Sequence, residues 1–118
     1  MKDSNSVGQF EQLVLSAIVV LGENAYGFAI FERVCVLADK RVNLGSLYVT
    51  LDRLENKGFL KSWVSEPLPE RGGRRKKYYR MELAGEVALR ESLEASRRAY
   101  DAAEGLWTRI RKLRRRGI

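Results

Sequence analysis

The chain contains no histidine and only one cysteine, Cys35, among its 118 residues. A single cysteine cannot form a disulfide within the chain, and the lack of histidine removes the commonest transition-metal ligand and the commonest general base. The sequence also contains no nucleophile motif and no carboxylate pair with a pocket signature. It therefore argues against an enzyme, and we expect neither a bound metal nor a cofactor.

Long apolar runs are also absent. No stretch approaches the roughly 18 apolar residues of a membrane-spanning helix, and the short polar N-terminus lacks the architecture of a signal peptide. Hydrophobic residues make up 45% of the chain and charged residues 31%, which is typical of a soluble globular protein. We therefore expect one small domain, with or without an appendage, in the cytoplasm.

Positive charge is abundant but unevenly spread, with a net charge of +7. Residues 71–77 hold five cations and no acid, and residues 109–116 hold six cations and no acid. The remaining residues hold 11 cations and 15 acids. A mildly acidic body with two basic segments indicates a polyanionic partner that is bound at defined places.

Two amphipathic helices are predicted in the first third of the chain. Apolar residues follow helical spacing from 10 to 21, where Gly22 ends the pattern, and again from about 26 to 38. In the second helix, four positions separated by three or four residues are expected to face the core, with Val34 beside them: Phe28, Phe31, Cys35 and Ala38.

A third helix is predicted over residues 43–57, with Asn43 as its N-cap and Gly58 as the left-handed residue that ends it. Its leucines recur at steps of three and four and should face the core: Leu44, Leu47, Leu51 and Leu54. The opposite face would then be available to a partner: Ser46, Val49, Thr50 and Arg53.

Two strands are predicted after the third helix, over 59–66 and 77–81, because both runs are rich in strand-forming residues. Between them lie five cations around the pair Gly72-Gly73. Trp63 and Tyr79 are expected on the inner face of this hairpin, covering the core. A helix with a polar face followed by a hairpin with a cationic tip is typical of a winged helix-turn-helix domain.

A long helix is predicted from 82 to about 116, with a length of about 50 Å. Apolar residues recur along it at heptad spacing, although Ser96 is small and Gly105 disfavours helix. A three-helix domain cannot cover so long a seam, so a second copy of the chain is the simplest partner. The predicted dimer interface is Leu89, Leu93, Tyr100, Ala103, Trp107 and Ile110.

The predicted fold is therefore mainly α with a small β-hairpin. Residues 1–81 form a winged helix-turn-helix domain and residues 82–118 a C-terminal dimerisation helix with a basic tail. The tail cations have two explanations that the sequence leaves open. They either complement the dipole at the end of the helix or contact nucleic acid.

Several segments resemble the PadR family of bacterial transcriptional regulators. They are A-Y-G-F-A-I at 25–30, L-G-S-L-Y-V-T-L-D-R-L-E-N-K-G-F-L at 44–60, E-R-G-G-R-R-K-K-Y-Y-R at 70–80, and the glycine of E-L-A-G-E at 82–86. The resemblance runs from about residue 9 to about residue 93 and implies a dimeric DNA-binding repressor of the short type. Two positions depart from the family pattern, since Val49 replaces a common proline and Glu82 replaces a common threonine.

The leading hypothesis is a homodimeric, sequence-specific regulator of transcription, expected to be a repressor, that binds a palindromic site in double-stranded DNA. Tyr48 is ambiguous, because a tyrosine can pack its ring and still donate its hydroxyl to a phosphate. The candidate DNA-binding residues are Asn43, Ser46, Tyr48, Thr50, Arg53, Arg71, Gly72, Gly73, Arg74, Arg75, Lys76 and Lys77.

Two other roles remain open. The alternative is a winged-helix interaction module that docks an acidic protein through its helical seam and basic tail. The family resemblance also allows a small aromatic effector at the dimer seam, with Tyr100 and Trp107 as its possible contacts.

Overall fold

A computed structural model describes residues 6–66 and 75–117 of the chain. Over these residues the fold is mainly helical with one antiparallel hairpin and a long last helix, which confirms the predicted fold class. The elements in chain order are α1 Gln9–Leu21, a short 3-10 turn Gly22–Asn24, α2 Gly27–Ala38, α3 Leu44–Asn56, β1 Leu60–Val64, β2 Lys77–Met81 and α4 Leu83–Arg115.

Both ends of α3 are fixed by the residues that the sequence predicted. The Asn43 side chain accepts a hydrogen bond from the Ser46 backbone N–H at 2.8 Å, which satisfies one of the unpaired donors of the first turn. After Asn56 the chain turns at Gly58, whose φ of +81° is a conformation that glycine adopts without strain. The turn sends the chain directly into β1.

The N-terminus of α1 is tied to the C-terminus of α3 by Glu11. Its carboxylate accepts the Gly8 backbone N–H at 2.9 Å and forms an ion pair with Lys57 at 3.0 Å. Burial raises the pKa of Glu11, but the Gly8 hydrogen bond and the Lys57 and Arg53 cations outweigh it and hold the pKa below its usual value. A charged, nearly buried carboxylate therefore joins the two helices.

One hydrophobic core lies between the three helices, the hairpin and the start of α4. The buried side chains include contributions from all of these elements, so the winged-helix domain closes on the first turns of α4. The largest are Val14, Leu15, Ile18, Ile30, Val34, Leu47, Leu51, Leu54, Phe59 and Tyr79.

The face of α2 that enters the core differs from the predicted one. Gly27, Ile30 and Val34 are buried and Phe31 packs against the core, whereas Phe28 is 55% exposed, so the predicted stripe is right at Val34 and Phe31 but wrong at Phe28. Apolar residues occur around most of this helix, and spacing alone does not choose between two overlapping stripes. Packing decides which stripe of α2 is buried. Gly27 has no side chain, so the Tyr48 side chain can lie close to the backbone of α2 on this face.

The hairpin places Trp63 and Tyr79 on opposite faces. Tyr79 is buried as predicted, but Trp63 is 45% exposed, and the expectation that it covers the core is wrong. Side chains alternate along a strand, so Leu60, which is buried, and Trp63 point to opposite faces. The register of the two strands is consistent with these opposite faces, because Trp63 pairs with Tyr78 and Ser62 pairs with Tyr79.

The first two turns of α4 belong to the core rather than to a free seam. Ala88 and Leu89 are buried, and Leu89 is only 5% exposed within a single chain. The expectation that Leu89 lies on an uncovered dimer seam is therefore wrong, because the winged-helix domain itself covers this position. The division into residues 1–81 and 82–118 stays a prediction.

Candidate nucleic-acid interface

The outer face of α3 presents a short polar surface. Ser46 and Arg53 are exposed, Tyr48 is 43% exposed, and the cap residue Asn43 lies exposed at the start of the helix. Val49 lies on the same surface and is 58% exposed. These residues are available to a partner outside the core.

Thr50 is not on that surface. Its side chain is buried, with 5% exposure, so the expectation that it points outward beside Arg53 is wrong. Thr50 lies in the stripe Leu47, Thr50, Leu51 and Leu54, which follows helical spacing and faces the core. Leu44 was predicted to face the core but is 44% exposed, so this prediction is also wrong.

Tyr48 combines packing with exposure. A β-carbon at Gly27 would lie 2.7 Å from the Tyr48 hydroxyl and 3.2 Å from a ring carbon. The ring therefore lies against the first residue of α2, and only glycine leaves room for it. The exposed remainder of Tyr48 faces outward at the junction of α2 and α3.

The stem of the hairpin extends past the paired strands and carries the described wing cations. Ser65 and Lys76 exchange two hydrogen bonds, from the Ser65 backbone N–H to the Lys76 carbonyl at 2.8 Å and from the Lys76 backbone N–H to the Ser65 hydroxyl at 3.1 Å. Arg75 and Lys77 are exposed. The remaining predicted wing residues, Arg71, Gly72, Gly73 and Arg74, lie outside the described part of the chain.

Lys76 also has a structural role. Its ammonium lies 4.2 Å from the centre of the Tyr26 ring, a cation–π contact that holds the hairpin stem against the start of α2. A backbone hydrogen bond also attaches the hairpin to this region, since the Tyr79 N–H donates to the Ala25 carbonyl at 2.9 Å. The wing is therefore attached to the turn that precedes α2.

The hairpin is joined to α3 by contacts that sequence reasoning did not find. The Ser62 hydroxyl donates to the Glu55 carboxylate at 2.6 Å. Burial, with smaller contributions from Asp52, Glu55 and Tyr48, raises the pKa of Tyr79 to about 12. Both features depend on strand register, which the local sequence does not specify. The Ser62–Glu55 hydrogen bond and the burial of Tyr79 set the position of β1 and β2 relative to the exposed face of α3.

Beyond Leu89, α4 leaves a line of apolar side chains exposed. Of the predicted seam, Leu93, Tyr100 and Trp107 are 42%, 63% and 51% exposed, while Ala103 and Ile110 are partly buried. Leu106 and Leu113 extend this line, at 53% and 47% exposure, and sequence reasoning missed them. Their spacing of seven was the signal that could have identified them.

Tyr100 and Trp107 lie on different turns of α4. A shallow depression is lined by Leu93, Arg97, Tyr100 and Asp101, but not by Trp107. Seven residues of helix separate the two aromatic residues by about 10 Å. A shared effector contact would therefore need a second copy, and the effector at the seam stays a prediction.

The basic tail forms the last turns of α4. Arg111 lies 3.8 Å from Glu104, and both side chains are about half exposed. The other tail cations are exposed as well. No described helix is both long enough and apolar enough to span a membrane.

Comparison with known proteins identifies the family. A model of the transcriptional regulator PadR-like family matches residues 14–91. A PadR family transcription regulator from Clostridium difficile is 25% identical, with a TM-score of 0.68 over 84% of this chain and 98% of that chain. A PadR family regulator from Eggerthella lenta is 27% identical, with a TM-score of 0.64 over 80% of each chain.

One similar structure was determined with nucleic acid. The ORC1 protein of Aeropyrum pernix, in complex with DNA, is 26% identical, with a TM-score of 0.61 over 80% of this chain and 26% of that chain. No curated protein matches the chain. The family match covers most of the chain and all elements of the winged-helix domain except the start of α1, so the chain belongs to the PadR-like family of transcriptional regulators, a family of regulators and not of enzymes.

Proposed function

We propose that the chain is a repressor that binds a palindromic DNA operator as a homodimer. The observation that carries this proposal is the exposed polar face of α3, with Ser46, Tyr48 and Arg53, on a domain that also holds the cationic hairpin stem. Membership of the PadR-like family supports DNA binding. The DNA complex of the similar Aeropyrum pernix protein supports it as well.

In this proposal α3 enters the major groove. The Arg53 guanidinium can donate two hydrogen bonds to one guanine, to its O6 and N7 atoms. The Ser46 hydroxyl can bind either a base or a phosphate. Tyr48 would reach a phosphate beside the groove once its hydroxyl, which packs against Gly27 in this structure, turns away from α2. Thr50 takes no part, because it is buried.

The hairpin would bind the DNA backbone next to the groove. Arg75 and Lys77 are exposed on the stem and can neutralise phosphates without reading sequence. Arg71 and Arg74, which lie outside the described residues, would add to the same role.

The second copy would be joined through the part of α4 beyond Leu89. Leu93, Tyr100, Leu106, Trp107 and Leu113 are all at least 42% exposed in one chain. An isolated helix has no means of burying such a seam, whereas a twofold pair of helices covers both seams at once. Pairing would also hold two copies of α3 at a fixed spacing for a palindromic site.

Fluorescence anisotropy tests this function directly. The probes are a duplex from the region upstream of the chain's own gene and a scrambled duplex of equal length. We expect tighter binding to the upstream duplex, with log affinity falling against log salt by about 0.9 for each phosphate that the protein neutralises. Equal affinity for both duplexes, or binding that is independent of salt, would contradict the proposal.

A further inference from the structure

Val49 lies at the centre of the exposed face of α3. The buried stripe of this helix is formed by Leu47, Thr50, Leu51 and Leu54. At 3.6 residues per turn, Val49 points about 150° away from the middle of that stripe. It is 58% exposed, more than Leu44 at 44% or Tyr48 at 43%. Val49 is therefore the apolar side chain that α3 presents most directly to a partner.

The neighbours of Val49 leave its methyl groups open to contact. Gly45, about one turn before it, has no side chain, and Asp52, about one turn after it, is exposed. Ser46 and Arg53, which lie beside it on the same face, are polar and exposed. A valine in a helix has one strongly preferred χ1 rotamer, so its two methyl groups are held in place before any contact is made. Val49 thus supplies a rigid apolar group within a polar surface.

An apolar group in the major groove discriminates between bases. Thymine is the only base with an apolar group there, its C5-methyl, whereas the other groups that the base pairs present are hydrogen-bond donors and acceptors. Valine has neither a donor nor an acceptor in its side chain. A polar base atom covered by Val49 would lose its water without gaining a hydrogen bond, which is unfavourable. Contact with a thymine methyl has no such cost and removes apolar surface from water.

The geometry points to Val49 as a residue that selects thymine, by packing its methyl groups against the C5-methyl of one thymine in each half of the operator. This assignment rests on the proposed function, because it requires α3 to lie in the major groove. It adds an apolar contact to the hydrogen bonds of Arg53 and Ser46. Uracil differs from thymine only by lacking that methyl group, so Val49 distinguishes the two bases.

Deoxyuridine substitution in the upstream duplex tests this contact. One thymine and its counterpart in the other half-site are replaced at a time, which preserves base pairing and every hydrogen-bonding group. We expect at least one such replacement to weaken binding of the native chain by about three- to tenfold for each methyl group removed. Fluorescence anisotropy at one fixed salt concentration gives the affinities.

Val49→Ala and Val20→Ala are the matched variants. Val20 is 59% exposed on α1, so both substitutions remove the same atoms from similarly exposed helical positions. Alanine is the better helix former, so both proteins should fold. Val49→Ala should bind the unmodified duplex more weakly and should no longer distinguish it from the uracil duplex, whereas Val20→Ala should match the native chain. This double-mutant cycle cancels any effect of uracil on the DNA alone.

Two results would overturn the assignment and leave the proposed function intact. The first is a native chain that prefers the upstream duplex but is insensitive to uracil at every thymine. The second is a loss of affinity on uracil substitution that is equal in the native chain and in Val49→Ala. A native chain with no preference for the upstream duplex would instead contradict the proposed function, and this assignment with it.

Discussion

A β-carbon placed on Gly85 would overlap the carbonyl oxygen of Phe59. It would also lie 2.7 Å from the Met81 sulfur and 3.0 Å from the Phe59 β-carbon. The same Phe59 carbonyl accepts the Glu82 backbone N–H at 2.9 Å, so the start of α4 is held directly against the corner between α3 and β1. The absence of a side chain at position 85 therefore allows the long helix to be attached to the domain that carries α3.

Gly85→Ala should destabilise the fold. In an open helix the change from glycine to alanine stabilises by about 1 kcal/mol, but here the overlap with backbone atoms should reverse the sign and cost about 1–3 kcal/mol. Gly105→Ala is the matched control, because Gly105 is in the same helix and has open space around its α-carbon. Urea unfolding measures both variants, and a Gly85→Ala protein as stable as Gly105→Ala would contradict the packing described.

Local sequence patterns were sufficient for the order of the elements and for the caps of α3. Asn43, Gly58 and the bounds of β2 were predicted from nearest neighbours, because capping and turn conformations depend on a few adjacent residues. Leu47 and Leu51 were also assigned correctly to the core.

The choice of helix face was less predictable. Thr50 was assigned to the face opposite the leucines of α3, yet it completes their buried stripe, and α2 turns Ile30 inward instead of Phe28. Each error involved one of two stripes related by a small rotation of the helix. The energetic difference between them comes from contacts with distant residues, such as Tyr48 against Gly27, which a local pattern does not contain.

Tyr79 should make stability depend on alkaline pH. Its pKa is raised from 10.0 to about 12 in the folded chain, so the folded state favours the neutral phenol. The contribution of the neutral Tyr79 phenol to the stability of the fold is complete below about pH 10. It is lost as the pH rises towards 12, because Tyr79 ionises at a lower pH in the unfolded chain than in the folded one. Between about pH 9 and about pH 11 the native chain should lose about 1 kcal/mol more than Tyr79→Phe. Urea unfolding at both pH values gives the difference, and equal losses would show that the buried phenol does not carry this dependence.

Leu106→Glu should separate the proposed dimer. Leu106 is 53% exposed on the seam, and a carboxylate there would meet the apolar surface of a second copy. Gly105→Glu adds the same charge one residue earlier, on the side of the helix that faces away from the seam, and should leave the dimer intact. Sedimentation velocity at micromolar concentration should show a dimer for the native chain and for Gly105→Glu, and a monomer for Leu106→Glu. A native monomer, or a dimer in all three proteins, would contradict the seam assignment.

In the proposed complex, α3 reads sequence while the hairpin supplies affinity. Arg53→Ala removes an exposed donor from α3, and the double variant Arg75→Ala/Lys77→Ala removes two exposed cations from the hairpin stem. Both proteins should first be shown to unfold normally, because the Arg53 charge also contributes to the environment of Glu11.

The decisive measurement is a competition titration of operator against scrambled duplex at low and high salt, made with the native chain and both variants. Arg53→Ala should reduce the preference for operator by about 1–3 kcal/mol, which is the usual contribution of a hydrogen-bonded contact between a side chain and a base edge. The double variant should weaken binding to both duplexes by similar factors, and should flatten the salt dependence by about 0.9 for each phosphate that is no longer neutralised. If the hairpin variant loses the preference for operator while Arg53→Ala keeps it, the roles of the two elements have been assigned the wrong way round.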